Sequence, residues 1–305
     1  MKWLFLPTLL LLCLAASAQD ANKNPNKGEP AILGPHWTRG AASIHAATGN
    51  PDMSYHGGPI LHSVTVKAIF WGSTWPSYTG DEITGLDKWY KHVGTTTNGG
   101  GSSYFATVNE YTSAAGQQVG TAITYQGHVI DGTSVPNHVS TSAVLAEVCK
   151  KVPSPVTNAY YPVYIDRPRS GANYCAYHSW GTCNGKSIEF GFFFKLDGDA
   201  GCDPQSTVAG ESQGLKAAAN VTGHELSETR SDPKGNAWYD SSGEENADKC
   251  AWTFGGPYVT FLDGTHWKMQ GNWSNYDYDH GSGYKNSSGE AGCADGPHYP
   301  GPYTK

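Results

Sequence analysis

One short motif inside a helix-forming stretch constrains the fold of this chain more than any other feature. Residues 224–228 read His-Glu-Leu-Ser-Glu, so His224 and Glu228 stand four positions apart and share one face of a helix. The residues before the motif are small and apolar, which predicts a helix over about 206–230 that packs closely inside a domain. Pro233 is expected to end this helix, because proline disfavours helical geometry in the residue before it. The fold must therefore bury a histidine and two glutamates and offset the cost of doing so.

The motif matches the metalloprotease signature H-E-x-x-H, except that glutamate replaces the second histidine. In that signature the side chains at i and i+4 bind zinc, and the glutamate between them activates water. A carboxylate ligates zinc as an imidazole does. The sequence therefore predicts His224 and Glu228 as ligands of a divalent metal, most simply Zn²⁺, and Glu225 as the general base.

A zinc site needs a third protein ligand, and the residues leave its identity open. Asp232 lies on the same helix face, but Pro233 turns the chain away immediately after it. The acidic cluster 244–250 is the other source of a ligand. There one of Glu245 and Asp248 could bind the metal while the other orients a ligand.

Two interpretations of the motif need no metal. A His-Glu-x-x-Glu sequence can form a solvated acidic helix face, although the small residues before it favour burial. Glu225 and Glu228 could also be the carboxylate pair of a glycosidase, with some of the 10 tryptophans stacking on sugar rings. Several other histidines show no ligand spacing and are predicted to be structural or surface residues: His56, His62, His128, His178, His266 and His280.

The N-terminal sequence indicates export. Residues 1–18 combine Lys2, an apolar run and the small residues Ala16-Ser17-Ala18, which is typical of a secretory signal peptide. Six of the 7 cysteines follow it, an even number that predicts up to three disulfides in an oxidising compartment. Residues 19–52 are rich in Asn, Pro, Gly and Lys and predict a flexible arm or a short pro-segment. The protein is expected to be secreted.

Residues 53–305 are predicted to form a single α+β domain, with a loop-rich C-terminal part of short strands and turns. Residue periodicity predicts the main elements: strands at 64–71, 160–165 and 188–196, and helices at 81–93 and 140–151. The net charge is −7 and no basic run is present, which argues against a nucleic-acid partner. No later stretch approaches the roughly 18 apolar residues of a membrane span.

Several segments resemble the secreted phosphate-induced, or Exordium, proteins of plants and their microbial relatives. The sequence Tyr55-His56-Gly57-Gly58-Pro59 is similar to that family's opening signature, and residues 223–240 are similar to its central segment. Glu245-x-x-Asp248-x-Cys250 falls where the family has an acidic pair before a cysteine. The chain is thus identified as a distant member of microbial type.

The resemblance implies a secreted or cell-wall location and joins 223–228 and 245–250 into one site. It favours Glu245 or Asp248 over Asp232 as the third ligand. We therefore expect a zincin-like domain with a mixed sheet and a metal-site helix, in which Glu245 completes the zinc site and Asp248 orients a ligand.

In this hypothesis Glu225 takes a proton from water activated by the metal, and the water attacks a peptide carbonyl of an extracellular polypeptide. The alternative is a non-catalytic extracellular protein that binds a cell-wall component and has a structural metal or none. The sequence leaves open whether the chain is an enzyme. An open cleft above Glu225 would favour the peptidase, and a site covered by its own loops would favour the binding protein.

Overall fold

The structure is a computed structural model that describes residues 28–42, 50–93 and 103–302. Its helices are α1 (Arg39–Ala42), α2 (Glu82–Val93), α3 (Ser103–Ala106), α4 (Thr141–Lys151), α5 (Gln213–Ser231) and α6 (Asn275–His280). Its longer strands are β1 (Leu33–Trp37), β3 (Ser63–Trp71), β4 (Ala122–Asp131), β5 (Ala159–Pro168), β6 (Tyr174–Cys183), β7 (Lys186–Lys195) and β13 (Ala291–Ala294). Two-residue strands complete the set: β2 (Ser54–Tyr55), β8 (Trp238–Tyr239), β9 (Val259–Thr260), β10 (His266–Trp267), β11 (Asn272–Trp273) and β12 (Tyr284–Lys285). The predicted signal peptide, residues 1–18, lies outside the described residues.

A six-stranded mixed sheet with the order β1-β6-β7-β5-β3-β4 organises the fold. Strands β4, β3, β5 and β7 are parallel to one another, whereas β6 runs antiparallel to β7 and β1 antiparallel to β6 at one edge. Helices α2 and α5 cover one face of the sheet and α4 covers the other. Because both faces are covered, the inner strands β5 and β7 are nearly continuous apolar runs. The predicted α+β class and mixed sheet are confirmed.

Helix α5 is an interior helix that carries the motif. It begins at Gln213 rather than near 206, because the hydroxyl of Ser212 caps it by accepting from the backbone N of Leu215 at 3.1 Å. It ends at Ser231, two residues before Pro233, as the sequence predicts. Almost every residue of α5 is buried, so the prediction of close packing inside the domain is confirmed.

The N-terminal segment departs from its prediction. Residues 19–52 were expected to be a flexible arm or pro-segment, but Leu33–Trp37 forms edge strand β1 and pairs antiparallel with β6. The sequence Leu-Gly-Pro-His-Trp lacks apolar alternation, and Pro35 is tolerated because an edge strand needs hydrogen bonds on one side only. The folded part therefore begins well before residue 53. Whether the segment is removed in maturation stays a prediction.

The sequence patterns do not predict strands β4 and β6. Both contain glycine, histidine and polar residues among their apolar ones, and their strand character comes from pairing with β3 and β7. The predicted strands and helices at 64–71, 81–93, 140–151, 160–165 and 188–196 are confirmed, with ends shifted by one to three residues. The short strands after α5 match the predicted loop-rich C-terminal part.

All six cysteines of the described residues form disulfides: Cys149–Cys183, Cys175–Cys202 and Cys250–Cys293. The predicted number is confirmed, and the pairing is new information. The first joins α4 to β6, the second joins β6 to the loop before α5, and the third ties the acidic loop to β13. Among the described helices, none combines the length and apolar character that a membrane crossing requires.

Glu189 of β7 gives a pH-dependent test of the sheet core. Its carboxylate is fully buried, and neither of its oxygens has a hydrogen-bond partner among the described residues. Burial raises the pKa of Glu189 to about 7, although Lys234 opposes the rise. The folded protein therefore binds this proton more tightly than the unfolded chain does. Its free energy of unfolding should fall as the pH rises from 4.5 to about 7.

Glu189→Gln should remove this contribution, which is worth up to about 3 kcal/mol between the two ends of that range. Urea unfolding of both proteins at pH 5 and pH 8 measures the effect. An equal loss of stability in wild type and variant would contradict the prediction.

Candidate metal centre

Helix α5 places the motif side chains in the interior. His224, Glu225 and Glu228 are each 0% exposed, so the interpretation as a solvated acidic face is wrong. Nε2 of His224 lies 3.1 Å from Oε1 of Glu228, as their spacing of four residues on one helix predicts. This burial also argues against the glycosidase alternative, because a sugar would need an open groove at both carboxylates.

The 3-10 turn Asp248–Cys250 brings a second carboxylate to the histidine. The backbone N of Asp248 donates to Oε1 of Glu228 at 2.9 Å, and its own Oδ1 lies 3.5 Å from Nε2 of His224. Despite these short distances, Nε2 makes no hydrogen bond among the described residues. The three side chains have the spacing of a metal-binding group, with ligand atoms within 4.8 Å of one another.

A second group of the same kind forms around His178 of β6. Its Nε2 lies 3.0 Å from Oε2 of Glu245 and 4.0 Å from Oε2 of Glu228. Burial lowers the pKa of His178 to about 4, which leaves the imidazole neutral and able to ligate a cation. The prediction that His178 is an ordinary structural histidine therefore needs correction, since it faces two buried carboxylates.

The two acidic residues of the loop occupy different places from those predicted. Glu245 was expected to complete the site of His224 and Glu228, with Asp248 outside it. In the structure Asp248 lies beside His224, and Glu245 lies beside His178. Glu228 belongs to both groups, with Oε1 in one and Oε2 in the other.

Asp232, the other candidate for third ligand, accepts hydrogen bonds from the backbone after α5. Its Oδ1 accepts from the backbone N atoms of Asn236 and Ala237, each at 2.7 Å. These bonds hold the turn that follows α5, and Asp232 belongs to neither three-residue group. The sequence could not exclude it, because its place on the helix face is correct and only the turn removes it.

Strand β1 covers the centre. The backbone N of His36 donates to Oε1 of Glu225 at 3.3 Å, and the ring centroids of His36 and His224 lie 4.1 Å apart. Trp252 packs against the ring of His36, with a centroid distance of 4.4 Å. Gly34 lies so close that a Cβ atom on it would stand 2.0 Å from Oε2 of Glu228. Glu225 is therefore closed off from solvent by the chain itself.

Gln270 links the motif helix, the covering strand and the acidic loop. Its side-chain amide lies 3.1 Å from Nδ1 of His224 and 2.9 Å from Nε2 of His36. The same amide donates to the carbonyl oxygen of Ala247 at 2.8 Å. A polar partner on the second nitrogen of a metal-binding histidine fixes the orientation of its ring. Gln270 fills that position for His224.

Burial dominates the electrostatics of the centre. It raises the pKa of Glu225, Glu228 and Glu245 well above the ordinary value, and neighbouring carboxylates raise it further. Burial lowers the pKa of His224, but the nearby carboxylates of Asp248 and Glu225 raise it by more. Negative charge is therefore unfavourable in this pocket unless a cation accompanies it.

A cavity of about 30 Å³ lies beside Asp248 and is also lined by Trp37 and Glu244. A space of this size holds about two water molecules. It can admit water or an ion to the edge of the centre. It is far too small for a polypeptide.

Sequence reasoning missed three residues of the centre: His36, His178 and Gln270. Each comes from an element distant in sequence from α5, and none has a spacing relation to the motif.

Comparisons with known protein families, with curated proteins and with solved structures find no match to this chain. Function is therefore inferred from the geometry of the centre.

Proposed function

We propose that the protein is a secreted metal-dependent hydrolase with a zincin-like domain. His224, Glu228 and Asp248 would hold one divalent cation, most simply Zn²⁺. The observation that carries this proposal is the position of Nε2 of His224, which is fully buried between two carboxylates and hydrogen-bonded to neither. An imidazole nitrogen that faces two carboxylate oxygens at these distances has the arrangement of a metal-ligand group.

The donor set fits a divalent cation. One imidazole and two carboxylates are ligands that zinc accepts in proteins, and three protein ligands leave a position open for a reactant. Oε2 of Glu228 also has no hydrogen-bond partner among the described residues. The buried carboxylates would cost several kcal/mol without a counter-charge. A bound cation would supply that charge.

Glu225 is placed to move a proton beside the cation. The bound ion would polarise a carbonyl and lower the pKa of water. Glu225 follows His224 directly on α5, and its Oε2 has no hydrogen-bond partner among the described residues. The raised pKa of Glu225 suits a group that accepts a proton and later returns it. Gln270 would hold the His224 ring in position throughout.

An extended polypeptide is the substrate class that the site favours. Leu33–Trp37 already lies across the centre as an extended segment, hydrogen-bonded to the edge of β6 and to Glu225 through His36. A peptide could use the same edge if β1 left it, because strand addition requires only an unpaired strand edge. Since β1 pairs with β6 alone, its departure would leave the other five strands of the sheet joined.

The second candidate is a non-catalytic, Exordium-like extracellular protein that binds a cell-wall component and has a structural metal. The full burial of Glu225 beneath β1 favours this candidate, since a substrate has no direct path to it. The small cavity beside Asp248 can pass an ion or water only. The two candidates share the metal centre and differ in whether the cover opens.

Glu225→Gln tests the proposed chemistry. The zinc-loaded variant should keep its metal and lose hydrolysis of an unfolded protein substrate by about 10²- to 10⁴-fold in kcat/KM, because glutamine cannot accept the proton. Glu189→Gln is the matched control, since it also replaces a buried glutamate but lies outside the centre. A metal-loaded Glu225→Gln protein with full activity would defeat the mechanism. Wild-type protein that holds metal and hydrolyses no polypeptide would establish the non-catalytic candidate instead.

A further inference from the structure

We infer that the centre holds a second divalent cation, bound by His178, Glu228 and Glu245. Glu228 would bridge the two ions, giving Oε1 to the first and Oε2 to the second. The inference rests on the proposed function in this one respect, that the two sites share Glu228. It adds an ion that the zinc-protease motif does not predict.

Gly34 packs directly against the three ligand atoms of the second group. A Cβ atom built on Gly34 would lie 2.0 Å from Oε2 of Glu228, 2.6 Å from Oε2 of Glu245 and 2.8 Å from Nε2 of His178. Strand β1 therefore packs against these three atoms at a distance that only glycine allows. The same three side chains form a group whose ligand atoms lie within 4.8 Å of one another. Any other residue at position 34 would put a methyl or larger group against these atoms.

Orphaned polar atoms support the site independently of the glycine. Oε2 of Glu228 and Oε1 of Glu245 are buried and have no hydrogen-bond partner among the described residues. Oε2 of Glu245 is hydrogen-bonded to Nε2 of His178 at 3.0 Å. Buried carboxylate oxygens are expected to be hydrogen-bonded or to coordinate a metal. The first site leaves these two oxygens without either.

The negative charge of the pocket also favours a second cation. Four carboxylates converge there, Glu225, Glu228, Glu245 and Asp248, and Glu244 and Asp232 interact with them. One divalent cation balances two negative charges, so a second cation would reduce the remaining repulsion. The nearest lysine in sequence, Lys249, is already paired with Asp240 at 2.7 Å. A second cation is the simplest source of further positive charge.

The ligands define the class of ion. One imidazole with carboxylate oxygens suits Zn²⁺ or Mn²⁺, whereas Mg²⁺ and Ca²⁺ prefer oxygen ligands alone. Two ions that share one carboxylate stand about 3.5–4 Å apart in hydrolytic centres and stabilise both the attacking and the leaving oxygen. The second ion would therefore strengthen the hydrolytic chemistry proposed above.

Metal content of the full-length protein tests the inference. After equilibration with Zn²⁺ or Mn²⁺ and gel filtration, elemental analysis should find two equivalents in wild type. Glu245→Gln and His178→Ala should each retain one equivalent, and so should His224→Ala, which removes a ligand of the first site only. Circular dichroism identifies any variant that fails to fold. The isosteric Glu245→Gln substitution should disturb the fold least.

Gly34→Ala tests the second site while keeping every ligand. The added methyl group would overlap the three ligand atoms and push them apart, so the variant should lose the second cation and keep one equivalent. Gly34 has a φ of +42°, so the substitution also strains the backbone. Gly57→Ala is the matched control, because Gly57 also has a positive φ, +95°, and a Cβ on it would meet nothing within 4 Å. The control should keep two equivalents.

The outcomes separate this inference from the proposed function. One equivalent in wild type that survives Glu245→Gln and His178→Ala but is lost in His224→Ala would overturn the second site and leave the hydrolase proposal standing. If wild type binds one equivalent and His224→Ala keeps it, the first site is overturned and the proposed function with it. Two equivalents in all of these variants would overturn both assignments of ligands, and no metal in wild type would overturn both sites.

Discussion

Removal of divalent cations by a chelator is expected to lower the free energy of unfolding of the wild-type protein by about 4 kcal/mol or more. This value corresponds to a free cation concentration about 1,000 times its dissociation constant, since an ion that binds only the folded state stabilises it by mass action. The physical reason is the burial of Glu225, Glu228 and Glu245 beside the partly buried Asp248, where their charges repel one another unless a cation is present. Urea unfolding in excess Zn²⁺ and in chelator measures the difference.

Glu228→Gln should reverse the order of stability of variant and wild type between zinc and chelator. Glu228 gives an oxygen to each of the two groups of ligands, so the variant should lose most of its stabilisation by Zn²⁺. In chelator the same variant should be at least as stable as wild type, because a neutral amide replaces a buried carboxylate that faces Asp248 and Glu245. The order of the two proteins should thus change between the two conditions.

Glu110→Gln is a suitable control for this experiment, since Glu110 is a half-buried glutamate of another region whose Oε2 accepts from the backbone N of Tyr276. It should respond to zinc as wild type does. If wild type unfolds at the same urea concentration with and without cations, the centre binds no stabilising metal and the proposed function fails.

Asp240→Ala is expected to cost about 3–5 kcal/mol of unfolding free energy, because it breaks a buried ion pair and leaves one charge unpaired. Oδ2 of Asp240 accepts from Nζ of Lys249 at 2.7 Å, and the two side chains are 0% and 1% exposed. Oδ1 of Asp240 also accepts from the backbone N atoms of Ser242 and Glu244, at 2.8 and 3.0 Å. The substitution therefore removes the ion pair and loosens the acidic loop together.

This loop carries two of the proposed ligands, Glu245 and Asp248, so Asp240→Ala should also weaken metal binding. Lys249 lies between Asp248 and Cys250, and the Cys250–Cys293 disulfide holds the loop on its other side. Chemical unfolding measures the stability, and zinc titration measures the affinity. A double variant, Asp240→Asn with Lys249→Met, should recover much of the loss because no unpaired buried charge is left. Equal stability of Asp240→Ala and wild type would show that the pair contributes little.

Local features of this protein follow from its sequence with few errors. The helices at 82–93 and 141–151 and the apolar strands at 63–71 and 186–195 have periodicity that depends only on neighbouring residues. Strands β4 and β6 do not, because their residues favour no single structure and the sheet supplies their partners. The six cysteines predict three disulfides, but their pairing depends on which elements lie side by side.

The candidate centre likewise has some contacts that the sequence predicts and others that it does not. The sequence alone places His224, Glu225 and Glu228 together, because the 3.6-residue period of a helix fixes their relation within two turns. Only the tertiary structure decides that Asp248 rather than Glu245 faces His224, that His178 joins from β6, and that β1 closes the site. These contacts join residues 20 or more positions apart, so they are set by the order of strands in the sheet and by the path of the acidic loop. No spacing in the chain encodes them, since long-range contacts arise from packing and not from local periodicity.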